Sequence, residues 1–152
     1  MTTTREARKL GRKTLPFKGV IERVKLIEYA QALHLRNPIH MDRDAAIAAG
    51  YRDVVATSGF ITSMTLQPRA VKFEVYDIDE SRALAGEMEW IHKGVVCAGD
   101  ELSGNSELVE ASVKGGSRPM DMLVIETKLK NQLGETVLIV RESTLERHEA
   151  VQ

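Results

Sequence analysis

The residues best equipped for chemistry lie in one short run, Arg36-Asn37-Pro38-Ile39-His40-Met41-Asp42. Histidine gives and takes protons near neutral pH, so an imidazole held at a fixed place and angle is a candidate acid or base. Pro38 fixes its own φ and pushes Asn37 out of the helical region, which makes the chain leave any preceding helix here. Asp42 then offers a carboxylate to the first free N–H groups of Asp44-Ala45-Ala46-Ile47-Ala48-Ala49, and Gly50 is placed to end that helix in a left-handed conformation. His40 is therefore expected on a pinned connection between two helices. Two readings stand side by side: an acid–base residue, or a ring that satisfies a loop carbonyl. Helix capping accounts for Asp42 and Asp44, and with His34 and His40 they match no standard ligand spacing, so no metal is expected.

The elements that must position this loop follow from periodicity. Leu15, Phe17 and Val20 predict a first strand over Thr14–Val20, irregular at Pro16. Val24, Leu26, Ile27, Tyr29, Ala30 and Leu33 recur at helical spacing over Glu22–Leu33. Beyond Gly50, Tyr51 to Ala56 is a brief extended passage in which Tyr51 seats the loop. Thr57 to Leu66 has a hydroxyl cap and no charged face, which predicts a helix buried on most sides and ended by Pro68. Arg69 to Glu87 reads as a polar connection with a turn at Asp77–Glu80, suited to a lid or a binding rim. Leu84–His92, Leu102–Val113, Met120–Asn131 and Thr136–Arg147 read as strands of an antiparallel meander. Trp90 and His92, alternating with Met88, are expected to pack on the sheet.

Composition excludes several classes of function. Lys and Arg number 21 against 22 acidic residues, a net charge of −1, so no field draws nucleic acid or anionic lipid. Cys97 is alone among apolar neighbours, which fits a buried thiol in a reducing cytoplasm. No apolar run is long enough to span a bilayer. Residues 1–13, with Arg5, Arg8, Lys9, Arg12 and Lys13 against Glu6, are expected to form a flexible basic arm, and 14–152 a single domain. One strand, then helices including an apolar one, then four long strands is an α+β order. A curved antiparallel sheet wrapped around a long central helix satisfies it, with Lys128, Lys130, Glu142 and Glu146 on the wet face. Edge strands and unpartnered helix faces favour a dimer.

Several stretches together carry a family resemblance. They are Glu28-Tyr29-Ala30, Asn37-Pro38-Ile39-His40 with Asp42, Ala45-Ala46 through Ala49-Gly50-Tyr51-Arg52-Asp53-Val54-Val55-Ala56, and Ser58-Gly59-Phe60. Gly94 with Ala98-Gly99-Asp100, Val124-Ile125-Glu126-Thr127 and Asn131-Gln132-Leu133-Gly134-Glu135 continue them in order. The chain resembles the MaoC-like hydratase/dehydratases of the hot-dog fold, closest to the N-terminal-type, fatty-acid-synthase-like dehydratase branch.

That resemblance implies a lyase of fatty acid metabolism. It would hydrate an (R)-specific 2-enoyl-CoA substrate, or dehydrate a 3-hydroxyacyl group on coenzyme A or acyl carrier protein. The carrier is part of the substrate, and no separate cofactor is implied. The family site comprises an aspartate two residues before the asparagine, the motif histidine, and a backbone N–H at the start of the central helix. Carried over, these are His40 and the Gly59 N–H, with Asn37 and Ser58 lining the substrate. The aspartate position holds Leu35. Three explanations of Leu35 remain open. His34 substitutes for the missing acid; a related hot-dog chain completes the site in a heterodimer rather than a homodimer; or the chain binds acyl thioesters without turning them over. Arg69, Lys72 and Lys93 are cations available to phosphates of coenzyme A, with solvated surface as the plainer assignment for each.

Overall fold

A computed structural model describes residues 9–66, 69–116 and 118–148. Chain order is β1 (Phe17–Val20), α1 (Arg23–Ala32), a 3-10 turn (Pro38–His40), α2 (Arg43–Ala48), α3 (Ser58–Leu66) and α4 (Arg69–Tyr76). The long strands β2 (Ala83–His92), β3 (Glu101–Lys114), β4 (Met120–Lys130) and β5 (Thr136–Arg147) follow. All five strands form one antiparallel sheet in the order β1-β3-β4-β5-β2. Breaks in register between Ala85 and Met88 and between Leu108 and Glu110 mark bulges, which bend a sheet and give it curvature. This is the expected hot-dog architecture.

Three particulars differ from the sequence reading. The meander holds only for β3-β4-β5, since β2 is set down on the far edge beside β5. No tight turn links β2 to β3: Val96 and Ala98 in that connection bond instead to Ala56 and Val54. Residues 69–87 are not a polar connection, because they contain α4, whose buried stripe is Lys72, Phe73 and Tyr76. A lysine inside the stripe interrupts the apolar pattern that would have announced the helix. Glu142 and Glu146 do not face solvent either. They lie on the covered side of β5 and meet Lys72 at 2.7 Å and Arg82 at 2.8 Å, so a cation of α4 and one of the turn before β2 hold them there. Lys128 and Lys130 are exposed as expected.

The helical layer and the sheet enclose two apolar clusters. Ile61 of α3 packs with Ile21, Leu26, Val54, Leu102, Leu129, Leu138 and Val140, while Phe73 and Tyr76 of α4 pack with Leu108, Leu123 and Ile125. Each fully buried aliphatic side chain of β4 contributes about 2 kcal/mol by leaving water. Between the clusters lies a polar seam in which Ser106 and Thr127 share a 2.7 Å hydrogen bond and the Tyr76 hydroxyl donates to the Ser106 carbonyl. Burial pushes the Tyr76 phenol up to about 12, with the Glu107 and Glu142 carboxylates adding to the effect.

The expected flexible arm is, from Lys9 onward, tied down. Gly11 N–H donates to Leu108 O, Lys13 bridges to Glu107, and Lys9 and Arg12 donate to the carbonyls of Tyr76 and Val75 at the end of α4. Cations at a helix C-terminus complement its dipole, which is why this basic segment docks. Residues 1–8 and Pro68 lie outside the described residues. Among the described residues, no helix is long and apolar enough to cross a membrane.

Candidate functional site

The histidine loop begins where α1 ends. Leu35 N–H donates to Ala30 O and His34 N–H to Gln31 O, the paired bonds of a Schellman cap, and His34 takes the left-handed φ of 53° that this cap requires. His34 is thus the exposed capping residue of α1, and its ring makes no hydrogen bond with another described residue. Asn37 turns its Oδ1 back to Ile39 N–H at 3.3 Å and so caps the 3-10 turn. Asp42 Oδ1 accepts from Asp44 and Ala45 N–H at 2.8 and 3.0 Å, the capping role expected of it, and Gly50 follows α2 with a φ of 92°.

His40, half-buried between these two turns, places Nδ1 2.8 Å from the Val55 carbonyl oxygen. A carbonyl can only accept, so Nδ1 carries the hydrogen. In the neutral ring Nε2 then keeps its lone pair, which is the form a general base needs. Val55 is held from the other side as well, since its N–H donates to Ile39 O at 2.9 Å. The loop and residue 55 therefore move as one piece.

From Val55 the chain runs directly into α3. Val54 and Ala56 pair with Ala98 and Val96, and Val55 bridges to Cys97, whose thiol is buried as expected. Thr57 Oγ1 accepts from Phe60 N–H, and its carbonyl accepts from Ile61 N–H, so it caps α3. The N–H groups of Ser58 and Gly59 meet no acceptor among the described residues. Unpaired N–H groups at a helix start attract negative charge. Ser58 stands three residues after His40's anchor, at most about 10 Å along an extended chain.

Two carboxylates brace this arrangement. Asp53 receives Arg23 in a bidentate contact at 2.8 and 2.5 Å, with Arg43 at 3.4 Å, which ties α1 and α2 to the segment below His40. The Arg23 hydrogen bonds hold its carboxyl down at about 2 against the opposing effect of burial, helped by Val54 N–H and the charges of Arg23 and Arg43. Asp100, 1% exposed, takes two bonds from Arg52 together with Cys97 N–H and Gln132 Nε2. Burial works to raise its pKa, and those four donors outweigh it and keep the carboxyl below its usual value.

The start of α3 also gathers residues that the sequence did not place at the site, Trp90 and His92 having been expected only to pack on the sheet. Tyr29 of α1 brings its hydroxyl over Gly59, 2.5 Å from where a Cβ at that position would sit, while its ring meets Phe60 edge-on with centroids 5.6 Å apart. His92 of β2 lies with Nε2 2.9 Å from Ser58 Oγ, and Trp90 Nε1 donates to Thr62 Oγ1 one helical turn further on. Two residues of strand advance about 6.6 Å and four of helix about 6 Å, so alternate positions of β2 meet successive turns of α3. The alternation of Met88, Trp90 and His92 placed the three on one face, but nothing local said that side chains of α3 hydrogen-bond to Trp90 and His92 there, both of which stay exposed. Of the cations considered for phosphates, Lys72 is buried against Glu142 rather than solvated, and Arg69 stacks 5.0 Å over Phe73. Lys93 is exposed and lines an open groove with Arg52.

Comparison with known proteins matches residues 8–140 to the family model described as "FAS1-like, dehydratase domain region". A "UPF0336 protein" of Saccharopolyspora erythraea is 30% identical over 129 residues, 84% of this chain and 81% of that one. Among solved structures, the HadBC (3R-hydroxyacyl-ACP dehydratase) complex of Mycobacterium tuberculosis includes a chain with a TM-score of 0.79 and 21% identity, covering 90% of this chain and 96% of that one. A MaoC-like dehydratase gives a TM-score of 0.82 at 24% identity, covering 93% of this chain and 43% of that one. The unliganded R-hydratase PhaJ1 of Pseudomonas aeruginosa gives 0.67 at 20% identity, covering 92% and 83%.

Proposed function

The chain belongs to the FAS1-like dehydratase-region family, and from that premise we propose that it is a hydro-lyase acting on acyl thioesters. The reaction is (R)-specific hydration of a 2-enoyl thioester, or the reverse dehydration of a 3-hydroxyacyl thioester, carried by coenzyme A or acyl carrier protein. One observation carries this reading: the Val55 carbonyl fixes the His40 tautomer with Nε2 free, on a segment that runs straight into the open N-terminus of α3. In the hydration direction His40 Nε2 takes a proton from water as its oxygen adds to the β-carbon. Negative charge then develops on the thioester oxygen, where the Gly59 N–H and the helix dipole stabilise it. The space that a side chain at Gly59 would fill is taken by the Tyr29 hydroxyl.

A second reading is favoured by Leu35, which can neither give nor take a proton. Here the chain is one subunit of a heterodimer whose partner, a related hot-dog chain, supplies the aspartate; the 3R-hydroxyacyl-ACP dehydratase chain that this fold resembles comes from the HadBC complex. Hydration of crotonyl-CoA and longer enoyl-CoA thioesters by the purified chain, alone and mixed with an aspartate-bearing homologue, decides between them. Turnover by the chain alone supports the first reading, and turnover only in the mixture supports the second. His40→Ala is expected to abolish the first activity while leaving the far-UV circular dichroism unchanged; undiminished turnover would remove His40 from the site.

A further inference from the structure

Hydration needs a proton for the α-carbon as well as a base for the water, and Leu35 delivers none. We propose that Ser58 and His92 supply that proton, with the Ser58 hydroxyl as the catalytic group and His92 as the residue that positions and recharges it. This rests on the self-sufficient hydro-lyase reading. Ser58 Oγ and His92 Nε2 lie 2.9 Å apart, the separation of a hydrogen bond that can pass a proton. Ser58 is the first residue of α3, immediately before the Gly59 N–H, so its hydroxyl stands beside the group that meets the thioester oxygen. Its position on the helix is fixed, since the Ser58 carbonyl accepts from Thr62 Oγ1 at 2.8 Å and Thr62 Oγ1 in turn accepts from Trp90 Nε1 of the same strand as His92. His92 is exposed, and its other nitrogen meets no described residue, so it can exchange protons with solvent.

The protons balance as follows. His40 Nε2 takes one proton from water, and the remaining hydroxide oxygen bonds to the β-carbon. The π electrons move to the α-carbon through an enolate held by the Gly59 N–H. Ser58 gives its hydroxyl proton to the α-carbon and takes one from Nε2–H of His92 in its doubly protonated form, which is left as the neutral ring. His40 ends one proton richer and His92 one poorer, and solvent restores both. No oxidant, metal or cofactor enters.

Steady-state hydration of crotonyl-CoA by wild type, Ser58→Ala, His92→Gln, Leu35→Asp and Leu35→Asp/His92→Gln tests the proposal, with folding checked by circular dichroism. His92→Gln and Ser58→Ala should each lower kcat about 100-fold, the usual contribution of a general acid, while KM stays within about threefold. Reintroducing the carboxylate in Leu35→Asp/His92→Gln should recover at least about tenfold in kcat, because a second acid then stands in the site. Wild-type kcat in His92→Gln, a change confined to KM, or no recovery in the double variant would each overturn the assignment and leave the hydro-lyase reading intact. Turnover that appears only with an aspartate-bearing partner overturns the assignment in favour of the heterodimer. Absence of turnover in every mixture overturns the hydro-lyase reading and this assignment with it.

Discussion

A methyl group at position 59 separates space from conformation as the reason for glycine there. Gly59 has no positive φ, and within a helix alanine is the better residue by about 0.5–1 kcal/mol. A Cβ at this position would nevertheless fall 2.5 Å from Tyr29 Oη, with the ring carbon behind it at 3.4 Å. Normal contact requires the phenol to retreat by about 1 Å, and its ring is already seated edge-on against Phe60. Overpacking of this kind costs about 1–3 kcal/mol, so Gly59→Ala should lose about 1–2 kcal/mol after the helical gain. Tyr29→Phe removes the colliding oxygen. The Tyr29 hydroxyl has no hydrogen-bond partner among the described residues, so that change alone should stay within about 0.5 kcal/mol. Gly59→Ala/Tyr29→Phe should then be nearly as stable as Tyr29→Phe, a coupling of about 1–2 kcal/mol. Urea unfolding of the four proteins, followed by circular dichroism and compared at a common slope, measures it. Simple additivity of the two single changes, or a Gly59→Ala chain as stable as wild type, would refute the steric account.

Three further expectations follow from other contacts. Lys72→Met leaves the Glu142 carboxylate covered without its cation and should cost about 3 kcal/mol in urea unfolding, most of it regained in Lys72→Met/Glu142→Gln. Asp53 is held near 2 when folded against roughly 4 in an unfolded chain, so the unfolded state binds the extra proton between those values. Its stabilisation is fully present above about pH 4 and lost as pH falls through about 2; stability measured across that window should change less in Asp53→Asn than in wild type. His34 holds a left-handed φ that disfavours a side chain, so His34→Gly should stabilise by up to about 1 kcal/mol in the same urea assay. It should leave hydration rates unchanged if Ser58 and His92 deliver the proton.

Local patterns announced most of this fold and little of the surroundings of the site. Leu123, Ile125, Thr127 and Leu129 alternate on β4, and all four are fully buried, because period-two spacing is set by the chain itself. Asn37, Pro38, Asp42 and Gly50 act on backbone within three residues of themselves, so the pinned loop was legible in the same way. The helix α4 was hidden by Lys72, and the inward turn of Glu142 and Glu146 by their charge. Each of these is satisfied only by a partner distant in sequence, about which local composition is silent. The position of β2 beside β5, and with it the meeting of His92 and Ser58, depends on which edge of the sheet receives the strand. Hydrophobic alternation is the same on either edge.

Of the two sequence readings of His40, the bond to a loop carbonyl is present, and it is compatible with the other. A ring that satisfies a loop carbonyl was set against a ring that moves protons, yet the carbonyl is what makes the second role available. By accepting from Nδ1, Val55 O removes one of the two neutral tautomers and leaves Nε2 as the acceptor. An uncharged anchor does this without placing a fixed carboxylate beside the ring, and the return bond from Val55 N–H to Ile39 O stops the ring and anchor from separating. The neutral tautomer of His40 is therefore set by backbone alone. In the proposed reaction Leu35 leaves the site without a second, proton-donating partner, so the test of that reaction turns on Ser58 and His92 as much as on His40.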